Sequence, residues 1–426
     1  VTNISNLHEN IRWNLESCEK DLGIKSDRDP IITRFRYLIA TAHQKYGKKV
    51  VVLVDEYDKP ILDNITDKEQ ARAIRDEMKN FYSVIKDSDA HIRFVFITGV
   101  SKFSKMNLFS GLNNLNDITL NPKYSTICGY THHDIRTVFK AHLQGVNLEK
   151  VKEWYNGYNY FGDKVYNPFD ILLFIDNNCE YKNYWWSTGN PSFLVKLLEE
   201  REYFIPQVTN YEASDEMLNS FDVDTIELEA LLWQTGYLTI KEKVQQPFGM
   251  KYILETPNKE IQTSLNSLFI TFLTTHKSQK LRQQTAIYKS LSKADVEELG
   301  QTLKSLFAGI PYHNFTNNKI AEYEGYYASV IYAYLASLGF DTIPEDTTSR
   351  GRIDLTLKLP GKVYIFEFKV VDKATDHALK QIKSRRYHEK YLDQGDIYLV
   401  GIEFDKEERN VVNFDWVKMN NSKQQA

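Results

Sequence analysis

Residues Gly351 to Val370 read GRIDLTLKLPGKVYIFEFKV. Asp354 stands near the start of one strand-like run, and Glu367 and Lys369 stand on the next. The second run, Lys362 to Val370, is otherwise largely apolar: Val363, Ile365, Phe366 and Phe368. A strand repeats every two residues, so Glu367 and Lys369 project from the same face. Leu359-Pro360-Gly361-Lys362 predicts a tight turn that brings Asp354 back towards Glu367. Two carboxylates and an amine converging inside an apolar sheet are costly to bury for packing alone. Carboxylate oxygens suit a hard divalent cation such as magnesium. A neighbouring lysine can orient an attacking water or stabilise a charged transition state. The competing reading is a Glu-Lys pair on a solvated hairpin face.

Asp354 followed by Glu367-Phe368-Lys369 resembles the acid, spacer, acid-x-Lys core of the PD-(D/E)XK nuclease superfamily. The resemblance implies a C-terminal α/β restriction-endonuclease-like domain that hydrolyses phosphodiester bonds. It implies one or two Mg2+ (or Mn2+) ions bound by Glu324, Asp354, Glu367 and the Phe368 carbonyl, lowering the pKa of bound water and stabilising pentavalent charge. Upstream, Ile320 to Leu338 carries apolar residues at helical spacing and stops at Gly339. Superfamily members usually have a metal-binding acid on this helix, here Glu324 or Glu322; two residues apart, the two cannot face one site. Downstream, Ala374 to Tyr391 reads as an amphipathic helix, and Gln381 matches the glutamine that touches the metal water or DNA in such proteins. Between Arg350 and Lys390 there are 11 Lys/Arg against 5 Asp/Glu, an excess of six positive charges. Such a face suits a phosphate backbone, or is a solvated helix surface, since the whole chain carries −4.

At 426 residues, with 42% hydrophobic and 26% charged, the chain has room for two or three domains of ordinary globular composition. Cys18, Cys128 and Cys179 lie far apart and form no CxxC pair, which points to a reducing, cytoplasmic setting rather than a zinc site or disulfide framework. No apolar run reaches membrane-spanning length. Lys48 to Pro60 reads KKVVVLVDEYDKP. Val50 to Val54 predicts a central parallel strand buried on both faces, delivering Asp55 and Glu56 at its carboxyl end, where ligands sit in open α/β sheets. A helix over Asp67 to Ile85 and a strand over Arg93 to Ile97, ending at Thr98, complete a βαβ alternation. Asp55-Glu56 resembles a Walker B acid pair, and Thr98 the polar sensor of AAA-type ATPases. VLVDEYDKP, ITGVSKFS, WYNGY, VYNPF and YWWSTGNP together resemble a bacterial AAA-ATPase-like family with a C-terminal PD-(D/E)XK domain. The resemblance implies ATP bound near Asp55, Glu56 and Thr98. The chain contains no Gly-x-x-x-x-Gly-Lys-Ser/Thr string, whose amides and lysine hold the phosphates. An N-terminal truncation and a degenerate site both account for this, and either way efficient ATP hydrolysis is not expected.

The expected architecture is a P-loop-type parallel-sheet domain lacking its first strand and P-loop (1–130), a helical lid or linker region (131–300), the nuclease-like domain (301–419) and a polar tail (420–426). Tyr130 to Tyr155 reads as a helix capped by Thr131, on which His132 and His133 face different ways and share no metal. Asn190 to Glu202 and Asp224 to Gln234 read as further helices. The latter, with strands at Tyr237 to Ile240 and Lys251 to Leu254, resembles a winged helix without a basic recognition face. Asn266 to Phe272 and Leu291 to Leu306 read as linker helices. The leading function is a metal-dependent nuclease acting on DNA, with catalytic residues Asp354, Glu367, Lys369 and Gln381. Against it stands a regulatory or binding protein without catalysis; RNA as substrate and a homo-oligomeric state stay open.

Overall fold

The computed structural model describes residues 1–101, 115–188, 211–219, 227–274, 279–310 and 324–419. Glu322, the Lys102 to Ser104 part of the ITGVSKFS motif, the stretch Asn190 to Glu202, Asp224 and the Asn420 to Ala426 tail lie outside the described residues.

Val50–Val54 (β1) and Ile92–Ile97 (β2) pair in parallel, joined through the helix Lys68–Asp87, whose N-terminus is capped by Asp67 accepting the Gln70 N–H. Val52, Tyr57, Ile61, Ile74 and Met78 share a core with Leu7 and Ile39, from the helices Ile4–Asp21 and Ile31–Tyr46. The expected burial of β1 on both faces does not occur. Val51 is 50% exposed, Leu53 70% and Phe94 54%. Among the described residues the sheet has two strands, and its helices pack on the Val52 face. The period of two therefore sorts Val51 and Leu53 onto a face left open among the described residues.

The single helix expected over Tyr130 to Tyr155 is two, His132–Thr137 and Leu148–Tyr155. Gly145 turns the chain at φ 77°, and Asn147 opens the second helix by accepting the Lys150 N–H. Thr131 and Asp134 form a reciprocal capping box on the first. A small hairpin, Asn156–Tyr158 (β3) with Val165–Tyr166 (β4), follows. The predicted hairpin near 237–254 is present as Thr239–Gln246 (β6) and Gly249–Glu255 (β7), with Glu212–Ser214 (β5) added alongside β7.

The helices Val296–Ala308 and Glu324–Ser337 pack on a five-stranded sheet, and Lys259–Thr274 and Lys280–Lys293 pack against those helices. Phe269, Leu303, Phe307 and Tyr334 from the helices meet Tyr364, Phe366 and Phe404 from the sheet in one core. The helix expected over Leu291 to Leu306 breaks at Ala294, φ 56°, where Asp295 caps a new helix through the Glu298 N–H. The sheet comprises Asp341–Thr348 (β8), Gly351–Leu359 (β9), Lys362–Val371 (β10), Asp396–Asp405 (β11) and Asn410–Met419 (β12), in the order β12-β11-β10-β9-β8. β10 and β11 are parallel; the other pairs are antiparallel. Leu359 pairs with Lys362 across Pro360-Gly361, with Gly361 at φ 72°: the tight turn read from the sequence.

Asp170 and Glu260 are fully buried beside this core. Asp170 accepts the Trp185 N–H at 2.9 Å and Glu260 the Trp186 N–H at 3.3 Å. Burial, reinforced by the charge of Asp170, pushes Glu260 up to about 9, and burial pushes Asp170 up to about 6. Near neutral pH the pair therefore holds one proton. An acid raised in the folded state stabilises fully below its ordinary value, and that stabilisation is lost as pH rises through the raised one. Urea midpoints are expected to fall between about pH 5 and pH 9, and Glu260→Gln to flatten that fall. An equal fall in parent and variant would place the titration elsewhere.

Candidate active site

β9 and β10 stay in register as far as the Leu355–Phe366 pair. Beyond it the Asp354 carboxylate takes the Phe368 N–H at 2.8 Å, replacing a ladder carbonyl. This satisfies a backbone donor where the strands part and fixes Asp354 beside Glu367 and Lys369. Lys369 Nζ lies 3.5 Å from Glu367 Oε1 and 3.5 Å from Glu324 Oε1, and donates to the Phe368 carbonyl at 2.8 Å. Glu324 opens the helix Glu324–Ser337, so the helix acid, both strand acids and the lysine converge. Gln381 joins them by donating from Nε2 to Glu367 Oε1.

Glu367 is 1% exposed, and among the described residues its Oε2 finds no hydrogen-bond partner. Burial first, and then the charge of Asp354, push it up to about 8, against the pull of Lys369. Burial also raises Asp354, although the Phe368 N–H and Lys369 oppose the shift. Glu324 is raised by burial, with Lys369 again opposing. Burial alone would lower the Lys369 ammonium, but Glu324, Asp354 and Glu367 together hold it above its ordinary value. Among the described residues no group of three or more His, Cys, Asp or Glu stands at metal-binding spacing. The lysine ammonium occupies the centre of the acids, with Glu324 and the Phe368 carbonyl both turned to it.

The Gln381 helix spans His377–Arg385 rather than Ala374 to Tyr391. Arg386 turns left-handed at φ 51°, and Tyr387–Tyr391 form a 3-10 turn. The chain is pulled off the helical path because the Tyr387 hydroxyl donates to the Arg352 carbonyl at 3.0 Å and the Tyr391 hydroxyl to buried Asp346.

Two residues that position this helix escaped the sequence reading. Glu403, 1% exposed on β11, accepts from the Thr375 N–H at 2.6 Å, the Thr375 hydroxyl at 2.5 Å and the His377 N–H at 2.8 Å. Burial would raise its carboxyl, but these bonds outweigh it and hold it below its ordinary value. Gly401 pairs with Glu367 across the sheet, and a Cβ there would collide with the Leu379 backbone. Only glycine lets the helix approach closely enough for Gln381 to touch Glu367. Glu403→Ala is expected to cost roughly 1–3 kcal/mol in urea unfolding, the penalty for stranding buried donors. A loss within error would assign the helix anchor to other contacts.

In the N-terminal half, the Thr98 hydroxyl donates to Asp55 Oδ1, so the structure joins two of the predicted nucleotide-site residues. Glu56 is exposed and left-handed at φ 51°, uncommon for a glutamate. Asp58, fully buried, ties down the chain after β2 by accepting from the Val100 N–H at 3.2 Å and from the Ser101 N–H and hydroxyl.

A family model described as a predicted AAA-ATPase matches residues 1–109, and one for the PD-(D/E)XK nuclease superfamily matches residues 322–414. An uncharacterized protein in the vnfD 5′ region of Azotobacter chroococcum mcd 1 is 48% identical over 398 residues, 93% of this chain and 77% of that protein. No solved structure matches the chain. No helix among the described residues is long and apolar enough to cross a membrane. With the acids and lysine of the second match gathered at one place and both matches in order along the chain, the protein belongs to the family that joins a predicted AAA-ATPase domain to a PD-(D/E)XK nuclease superfamily domain.

Proposed function

We propose that the C-terminal domain is a nuclease that hydrolyses phosphodiester bonds in DNA with magnesium or manganese. The observation that carries this reading is Glu367 Oε2: a buried carboxylate oxygen without a partner among the described residues, beside a second acid and a lysine. A buried charge left in that condition costs stability unless a cation or proton takes it up. The donors fit a hard divalent cation. Asp354, Glu367, Glu324 and the Phe368 carbonyl would hold it, the last two released from the Lys369 ammonium. When bound there, such an ion supplies Lewis acidity to a phosphate oxygen and to a water.

The chain's own groups do the rest. Lys369 Nζ places positive charge where the phosphoryl oxygens become more negative, an electrostatic contribution that grows in the transition state. Gln381 orients the Glu367 carboxylate, and Asp354 fixes the Phe368 peptide. Manganese titration by calorimetry tests the reading: the parent is expected to take up the ion and Asp354→Ala to lose most of that uptake. Equal uptake would remove Asp354 from the site.

The AAA-ATPase-like half is inferred to regulate the nuclease, with Asp55, Glu56 and Thr98 as the remnant of a nucleotide site. Because the chain carries no P-loop string, it is expected to release negligible phosphate from ATP with magnesium. Robust turnover would mean that another element of this chain holds the phosphates.

A further inference from the structure

Beside the acids lies a pocket of about 410 Å³ between the β8–β9 turn and the 3-10 turn Tyr387–Tyr391. Arg350, Arg385, Arg386 and Lys390 line it, with Glu389 as the one lining carboxylate among the described residues. Four cations against one acid leave an excess of three, or two if Asp346, which pairs with Lys390, is counted.

Several of these cations are held by contacts of their own. Arg350 pairs with Glu389 at 3.1 Å, and Arg386 shares that carboxylate at 3.6 Å. Lys390 is bound by Asp346 and donates to the Thr347 carbonyl at 2.9 Å. Arg385 donates to the Arg350 carbonyl at 3.2 Å, and among the described residues no carboxylate stands within ion-pair reach of it. A cation at a helix C-terminus is favourable by itself. That accounts for Arg385 alone, not for four cations around one cavity.

Tyr387 connects the pocket to the acids. It lines the pocket, and its hydroxyl donates at 3.0 Å to the carbonyl of Arg352, two residues before Asp354 on β9. Arg350, at the pocket edge, immediately precedes β9 and is four residues from Asp354, about 13 Å of extended chain.

We propose that this pocket binds a phosphodiester of the same nucleic-acid strand, next to the one that meets Glu367 and Lys369. The proposal rests on the nuclease reading and adds to it a built subsite that fixes the strand's path over Tyr387. Arginine forks match phosphate oxygens better than point charges do, and a site held by its own ion pairs has less to order on binding.

The test is fluorescence anisotropy of the full chain with a short labelled DNA strand, and with RNA of the same sequence, in EDTA, from about 50 to 200 mM salt. Arg385→Gln is expected to weaken binding about tenfold. It should also flatten the slope of log affinity against log salt by about 0.7 for a single strand. Lys380→Gln, on the same helix but outside the pocket, is expected to keep the parent slope. Equal loss on DNA and RNA identifies the phosphodiester as the group bound, and unequal loss adds a contact to the sugar. If Arg385→Gln binds as the parent does while the parent still cuts, the subsite is overturned and the nuclease reading stands. If the parent neither binds nor cuts, the nuclease reading falls, and the subsite with it.

Discussion

Lys369→Ala is expected to slow metal-dependent cleavage by about two to three powers of ten, with nucleic-acid binding nearly intact. The ammonium sits 3.5 Å from both Glu324 and Glu367. Its charge acts mainly on the transition state, and such losses fall on rate more than on affinity. Without it, the acids lose their common counter-charge and hold their protons to higher pH, which further disfavours metal uptake. Lys369→Met, which keeps the apolar stem, separates lost charge from lost packing. Single-turnover cleavage at saturating protein is the measurement. A Lys369→Ala protein that cuts as fast as the parent would remove the lysine from the reaction.

Glu367→Ala is expected to be at least as damaging to activity, since it removes a proposed metal ligand, while Gln381→Ala is expected to be milder. Charge removal at the same position carries an opposite effect on the metal-free fold. Glu367 is pushed up to about 8 from an ordinary 4.5, chiefly by burial. Its stabilising protonated form is complete below the ordinary value and is lost as pH rises through about 8. In EDTA at a pH above 8, the parent therefore carries a buried charge that Glu367→Gln does not. The variant is expected to have the higher urea midpoint there and to lose that advantage in mild acid. A variant less stable at every pH would mean that the Glu367 charge is well compensated without metal.

The convergence of Asp354, Glu367 and Lys369 was legible because its signals are local. The period of two in VYIFEFKV and the Pro360-Gly361 turn set Asp354, Glu367 and Lys369 on strands that meet. Glu324, with Glu322 as its alternative, and Gln381 came from the family resemblance, and the structure adds the 3.5 Å approach of Glu324 to Lys369 and the bond of Gln381 to Glu367. Glu403 and Gly401 were not legible. Their meaning depends on β11 docking parallel to β10 and on a helix lying across both, neither of which leaves a trace in neighbouring residues. The breaks at Ala294 and Arg386 were missed because each adopts the left-handed conformation without a glycine or proline to announce it. For β1, an apolar run reports that a strand forms but not how many of its faces are covered, so Val51 and Leu53 read as buried when they are exposed. The pairing of β1 with β2 did follow from the alternation of elements, and the structure adds the bond of Thr98 to Asp55.

The most direct test of the nuclease reading is a cleavage time course with supercoiled, linear and single-stranded DNA and with RNA. Parent and Glu367→Ala are compared side by side in magnesium, manganese and EDTA. The predicted result is fragments from the parent with either metal, none in EDTA, and none from Glu367→Ala under any condition. No cleavage by the parent of any of these substrates with either metal would contradict the account.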